Sequence, residues 1–355
     1  MIILTEDERM ENELFEKTPV PKAYFTFALP VVLSMVVSLV YNMVDTYFIA
    51  QTGNTNLVAG VSLSAPVFTL MIALGDIFGL GGSSLISRLF GEKKEEDGKR
   101  LSVFCFYAAI VCGILVTAVM MMLREPILYV LGADAETFTY ASGYYTYIVL
   151  GAPFIILYFT PSNLLRTEGF ATASMTGSIL GAVVNMILDP VFISVLGLGA
   201  AGAAIATVIG NIFADIFYIW FLLKRSRRLS INPAGFHIHI VEVGQILAIG
   251  IPASITNLMQ SIGIALTNRS LLPYGNDKVA AMGIVMKVNL SAVLVLVGFA
   301  FGAQPLVGYN YGAKNHARLK EILRFSYSFE CCTAAALAGA LSLAAPAMIG
   351  MFMHD

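Results

Sequence analysis

Gly81-Gly82-Ser83-Ser84-Leu85-Ile86-Ser87-Arg88-Leu89-Phe90-Gly91-Glu92-Lys93 and Gly302-Ala303-Gln304-Pro305-Leu306-Val307-Gly308-Tyr309-Asn310-Tyr311-Gly312-Ala313-Lys314 are one stretch of protein written twice. At a constant offset of 221, Gly81, Leu85, Gly91 and Lys93 recur as Gly302, Leu306, Gly312 and Lys314, and the register holds upstream to Val58-Ala59 against Val279-Ala280. Further upstream the offset becomes 222, so that Pro30 meets Pro252 and Gly53-Asn54 meets Gly275-Asn276. Two copies of one hydrophobic unit is how many transporters are built, with the substrate site between the halves.

The 355 residues are 57% hydrophobic and only 12% charged, with a mean hydropathy of +0.79. Soluble domains carry about 25% charged residues, so the chain reads as an all-α integral membrane protein. A spanning helix needs about 20 mostly apolar residues. That rule predicts nine spans, at about 24–50, 57–88, 101–123, 137–160, 171–196, 200–223, 245–272, 279–309 and 320–352. The ten-residue alternation of an outer-membrane barrel is absent. The implied organisation is an N-terminal tail (1–22), a first lobe of six helices (23–223), a linker (224–244) and a partial second lobe of about three helices (245–355). Residues 1–22 lack the apolar run of a cleavable signal.

Positive charge orients the bundle. With the N-terminus in the cytoplasm, 17 of the 21 Lys and Arg fall on the cytoplasmic side, among them the run Lys224-Arg225-Ser226-Arg227-Arg228. Only Arg124 and Lys278 fall outside, and Arg269 and Lys287 lie within spans. This asymmetry predicts a multi-pass protein of the plasma (inner) membrane with its N-terminus inside. The run at 224–228 also suits anionic lipid headgroups.

Residues 348–355 align at the offset of 221 with 127–134, which end span three of the first copy. A full second copy runs for about three helices more by that repeat, and the expectation is a C-terminally truncated transporter or a fragment of one.

An acid inside a membrane span is a candidate functional group by default, because its insertion costs about 2.5–3.5 kcal/mol. Asp45 in span one and Asp189 in span five stand out. Asn185 precedes Asp189 by four residues and shares its helix face. Pro190 has no N–H for the carbonyl of Met186. Thr207 lies about seven residues into span six, and all three levels fall within about 10 Å of the outer boundary. Two carboxylates, an amide and a hydroxyl at one level suit Na⁺ as hard oxygen ligands, or two acids sharing a proton, or a structural hydrogen-bonded cluster. Tyr41, Gln260 and Lys287 are weaker candidates for a substrate cavity. Asp76, Asp215, Glu330 and Arg269 are single charges within spans, of which Asp215 and Arg269 read as solvated near an interface. No P-loop, GxSxG or HExxH pattern occurs, so neither an enzyme nor an ATP-driven pump is expected, and no cofactor or nucleic-acid partner.

The doubled unit, Tyr41-Asn-Met-Val-Asp45-Thr-Tyr-Phe48, the segment from Gly81 to Lys93 and Asn185-Met-Ile-Leu-Asp189-Pro190 together resemble the multidrug and toxic compound extrusion (MATE) family, over residues from about 20 to the end. The resemblance implies two six-helix lobes and export of small organic, cationic or lipophilic compounds in exchange for Na⁺ or H⁺. It also implies a cation site in the first lobe at Asp45, Asn185, Asp189 and Thr207. Two departures are visible: Gln260 stands where some members carry an acid in helix seven, and helices ten to twelve are not represented. The competing readings are a lipid-linked precursor flippase and a truncated, non-functional membrane protein. A flippase calls for a strongly basic cavity, for which only Arg269 and Lys287 are present.

Overall fold

The computed structural model describes residues 13–236, 239–271 and 276–352, which are helical without a strand. The helices are α1 (Val20–Gln51), α2 (Thr55–Gly91), α3 (Glu95–Met122), the short α4 (Arg124–Val130), α5 (Phe138–Leu150), α6 (Ala152–Thr167), α7 (Ala171–Asp189), α8 (Gly199–Lys224), α9 (Ile240–Leu271), α10 (Asn276–Gly312) and α11 (His316–Phe352). Among the described residues, six are long and apolar enough to cross a membrane, and the α5–α6 pair makes a seventh bent by 51°. The two remaining spans expected from the sequence, 245–272 and 320–352, are helical as α9 and α11. Large apolar side chains such as Leu115, Ile187, Ile216, Trp220 and Leu343 are exposed on the outside, as suits a bundle whose solvent is lipid.

Three boundaries differ from the sequence reading. The span at 137–160 is two helices meeting at Gly151. Pro153 has no N–H to continue the first helix, and a Cβ on Gly151 would overlap Val208 of α8, so the bend seats α5 and α6 against their neighbour. The linker is shorter than 224–244, because α9 starts at Ile240; α1 starts at Val20, inside the expected tail.

Within the first six spans α7 lies between α1 and α8, α5 lies on α8, and α6 packs against both α2 and α3. The lobes join by exchange: α9, the repeat of α1, lies on α2, while α1 lies on α10, the repeat of α2. Small residues permit the close approach. A Cβ on Gly81 would meet Ile246 and Gly250 of α9, and one on Gly302 would meet Ala28 of α1. Even the caps repeat, since Lys93 and Lys314, 221 apart, both take the left-handed conformation with φ of 62° and 54°.

The basic end is tied shut. Lys93 donates to Glu16 at 2.6 Å and to the Tyr309 hydroxyl at 2.7 Å, and Tyr309 donates to Glu16 at 2.7 Å. Burial pushes the Glu16 carboxyl up, but the hydrogen bonds from Lys93 and Tyr309 and the nearby lysine charges outweigh it and hold it below its ordinary value. Phe15 is fully buried against Phe27 and stacks on Tyr309 with ring centroids 4.7 Å apart. In the linker Arg228 is buried, pairs with Glu95 and lies over the Phe90 ring. Its own and the Arg227 backbone N–H donate to Glu168 at 2.9 and 2.8 Å. The basic run at 224–228 is therefore partly an internal clamp, which leaves fewer of its charges for lipid.

A cavity of about 580 Å³ opens between α2, α9, α10 and α11, lined in part by Arg88, Ala300, Ala303, Ser326, Tyr327 and Glu330. By the repeat, Ala300, Ala303 and Ser326 stand where Gly79, Gly82 and Cys105 stand in the first lobe. There Gly79 packs on Phe159 and Asn163 of α6, and Gly82 on Leu164 of α6 and on Cys105. This cavity is thus the second-lobe counterpart of the seat of α6, and neither Asp45 nor Asp189 lines it.

Candidate functional site in the first lobe

Asn185 and Asp189 sit one turn apart on α7, and both are buried. Asp189 is the last α-helical residue, and from Pro190 the chain widens into a π-helical turn, Pro190–Val195. Loss of the proline N–H explains the break, and such turns recur at functional sites. The Asn185 amide donates to Asp189 at 3.3 Å and to the Thr207 hydroxyl of α8 at 3.4 Å. Gly181 and Gly210 let α7 and α8 approach one turn away, each lying against the other's carbonyl oxygen.

Asp45 comes from α1, which packs on α7. Its carboxylate is half-buried and within electrostatic range of Asp189. Hydrogen bonds thus join Asn185, Asp189 and Thr207, and Asp45 lies within electrostatic range of Asp189. Asp45 Oδ1, Asn185 Oδ1 and Asp189 Oδ2 are all buried and accept no hydrogen bond from the protein. A buried oxygen without a donor is costly. Three such oxygens from two carboxylates and an amide, beside a hydroxyl, fit a hard cation or a proton.

Tyr41 is half-buried one turn before Asp45 and within electrostatic range of Asp45, Asp189 and Tyr158. Tyr144 of α5 is a site residue that the sequence reading missed. It is buried and senses Asp45, Tyr41 and Asp189. Its depth was the available signal: it lies seven residues into the span predicted at 137–160, the level already argued for Thr207. The side chains of Gln260, Arg269 and Lys287 lie outside the described residues. Glu330 is far from this group; it accepts a hydrogen bond from Tyr24 at 3.4 Å on the wall of the second-lobe cavity. Asp215 departs from expectation. Instead of lying solvated near an interface it is only 3% exposed, inside the first lobe. Among the described residues no group of three His, Cys, Asp or Glu side chains is placed to hold a metal ion.

A doubled helical bundle with paired acids buried in its first lobe defines a polytopic membrane transporter. The family model described as MatE matches residues 30–191 and 252–355, and the chain belongs to this family of multidrug efflux transporters. The multidrug export protein MepA of Staphylococcus aureus is 34% identical over 310 residues, which are 87% of this chain and 68% of MepA. MepA of Staphylococcus saprophyticus is 31% identical over the same length and shares. Among solved structures, a MOP superfamily transporter from Pyrococcus furiosus, described as having a binding pocket of reverse polarity, superposes with a TM-score of 0.91 at 26% identity, over 100% of this chain and 77% of that one. A MATE crystallised in complex with MaL6 superposes with a TM-score of 0.92 at 26% identity, over 99% and 77%.

Proposed function

We propose that this protein is a secondary antiporter that exports cationic or lipophilic compounds in exchange for Na⁺ or H⁺ bound at Asp45, Asn185, Asp189 and Thr207, with its N-terminus in the cytoplasm. The observation that carries the reading is the set of three buried oxygens without donors on Asp45, Asn185 and Asp189. A cation or proton entering there cancels one negative charge of the acid pair, and a cation ligates the oxygens that lack donors, so occupancy changes both charge and packing between α1 and α7. An organic cation competes for the same negative charge, and exchange follows from that competition. The rings of Tyr41 and Tyr144 supply aromatic faces for a flat cation. The names of the relatives support the cargo: MepA is a multidrug export protein, and a MATE has been crystallised with MaL6.

The test is efflux of a fluorescent organic cation from vesicles carrying the protein under an imposed Na⁺ or pH gradient. Asp189→Asn keeps shape and hydrogen-bonding capacity but removes the charge, so it abolishes gradient-driven efflux with insertion intact. Efflux at the wild-type rate in this variant overturns the reading.

A further inference from the structure

Asp215 lies on α8 two turns beyond Thr207, about 12 Å nearer the basic end. Both of its carboxylate oxygens are buried and accept no hydrogen bond from the protein. A carboxylate without a donor or counter-charge in a water-excluded interior is stable only with a proton or a cation on it.

Its neighbours choose between the two. The groups that sense its charge are Tyr158 of α6 and Tyr218 of α8 itself, hydroxyls that both donate and accept. On α7, the Ser178 hydroxyl and the Ser174 carbonyl meet the Tyr218 hydroxyl. Arg166 of α6 senses both tyrosines, but it is engaged by Asn163 and by the charge of Asp76. From α5, Tyr144 senses the Asp45–Asp189 pair instead. A metal cation would find one carboxylate here and few further oxygens; a proton needs only the carboxylate.

The Tyr218 hydroxyl donates to the Ser174 carbonyl at 2.8 Å and lies 3.0 Å from the Ser178 hydroxyl. Gly177 seats the Tyr218 ring, since a Cβ there would overlap it. Ser174 donates to the Ser162 carbonyl at 2.7 Å, in the first turn of α7 at the basic end. In the other direction Tyr158 is within electrostatic range of Tyr41, and Tyr41 of Asp45 and Asp189.

We propose that Asp215 is a second proton-carrying acid of the first lobe, set between the Asp45–Asp189 pair and the basic face. The proposal rests on the antiport reading with H⁺ as the exchanged ion. An O–H bond broken at the acid pair is balanced by one formed at the Asp215 carboxylate, and the proton later leaves Asp215 to water at the basic face.

The test is infrared spectroscopy of the full chain in liposomes at neutral pH, reading the C=O stretch of protonated carboxylic acids. Asp215→Asn removes one component of that band, which Asp189→Asn retains. Should Asp215→Asn fail to fold, Asp215→Glu displaces the same component. A band unchanged by substitution of Asp215 overturns the proposal whatever efflux does. Wild-type efflux in Asp189→Asn overturns the antiport reading instead.

Discussion

Gly91 and Gly312 hold equivalent places in one helix crossing. A Cβ on Gly91, at the end of α2, would overlap the carbonyl oxygen of Tyr309 on α10; a Cβ on Gly312, at the end of α10, would overlap the carbonyl oxygen of Arg88 on α2. The two glycines are 221 residues apart, and so are Arg88 and Tyr309. The repeat in the sequence is thus a repeat in contacts, down to the backbone atoms that meet where the lobes join.

Gly91→Val and Gly312→Val each force α2 and α10 apart, at a cost of about 1–3 kcal/mol. The check is the midpoint of thermal unfolding in detergent. Gly244→Ala is the control. Nothing lies within 4 Å of a Cβ at that position, so gaining a better helix former leaves the midpoint unchanged or raises it.

Thr207→Val removes the hydroxyl beside Asn185 and keeps the volume, so it weakens binding of the exchanged ion without blocking transport. The half-saturating Na⁺ or H⁺ concentration for efflux rises about three- to tenfold, the worth of one hydrogen bond of about 1 kcal/mol, and Thr207→Ser restores it. An unchanged ion dependence in Thr207→Val contradicts a role in binding.

The tie at the basic end loosens in acid. The folded-state value of Glu16 is lowered, so the stability it contributes is present above the unfolded value of about 4.3 and is lost as pH falls through the folded value. Distances between spin labels on the 13–16 segment and the end of α10 lengthen over that acid range. Glu16→Gln shows the lengthened distance at neutral pH as well; a pH-independent distance in the wild type speaks against the tie.

Glu168 joins the α6–α7 turn to the linker by accepting from the backbone of Arg227 and Arg228 and from Ser226. Burial pushes its carboxyl up, and those hydrogen bonds only partly oppose it. The stabilising balance is therefore greatest below the unfolded value and falls as pH rises through the folded one. Glu168→Ala strands two amides and costs about 1–3 kcal/mol. Glu168→Gln, which removes the buried charge and keeps an acceptor, costs less at neutral pH. Chemical unfolding of the two variants, side by side, decides the order.

The sequence alone determined the class of fold, the repeat and the helix face that carries Asn185 and Asp189. Each of these depends on local chemistry: apolar runs long enough for a bilayer, a fixed offset, and a period of 3.6 residues. It also predicted one level for Asp45 and Thr207, because depth along a straight helix is countable. The tertiary structure alone decided which helices face one another. The exchange of α1 and α9 between lobes depends on where small residues allow backbones to touch, and the bend at Gly151 on the packing of α5 and α6 against Val208. Asp215 is the clearest case. Its distance along α8 was legible, but its burial was not, because exposure is set by side chains from α6 and α7 that no spacing within α8 records.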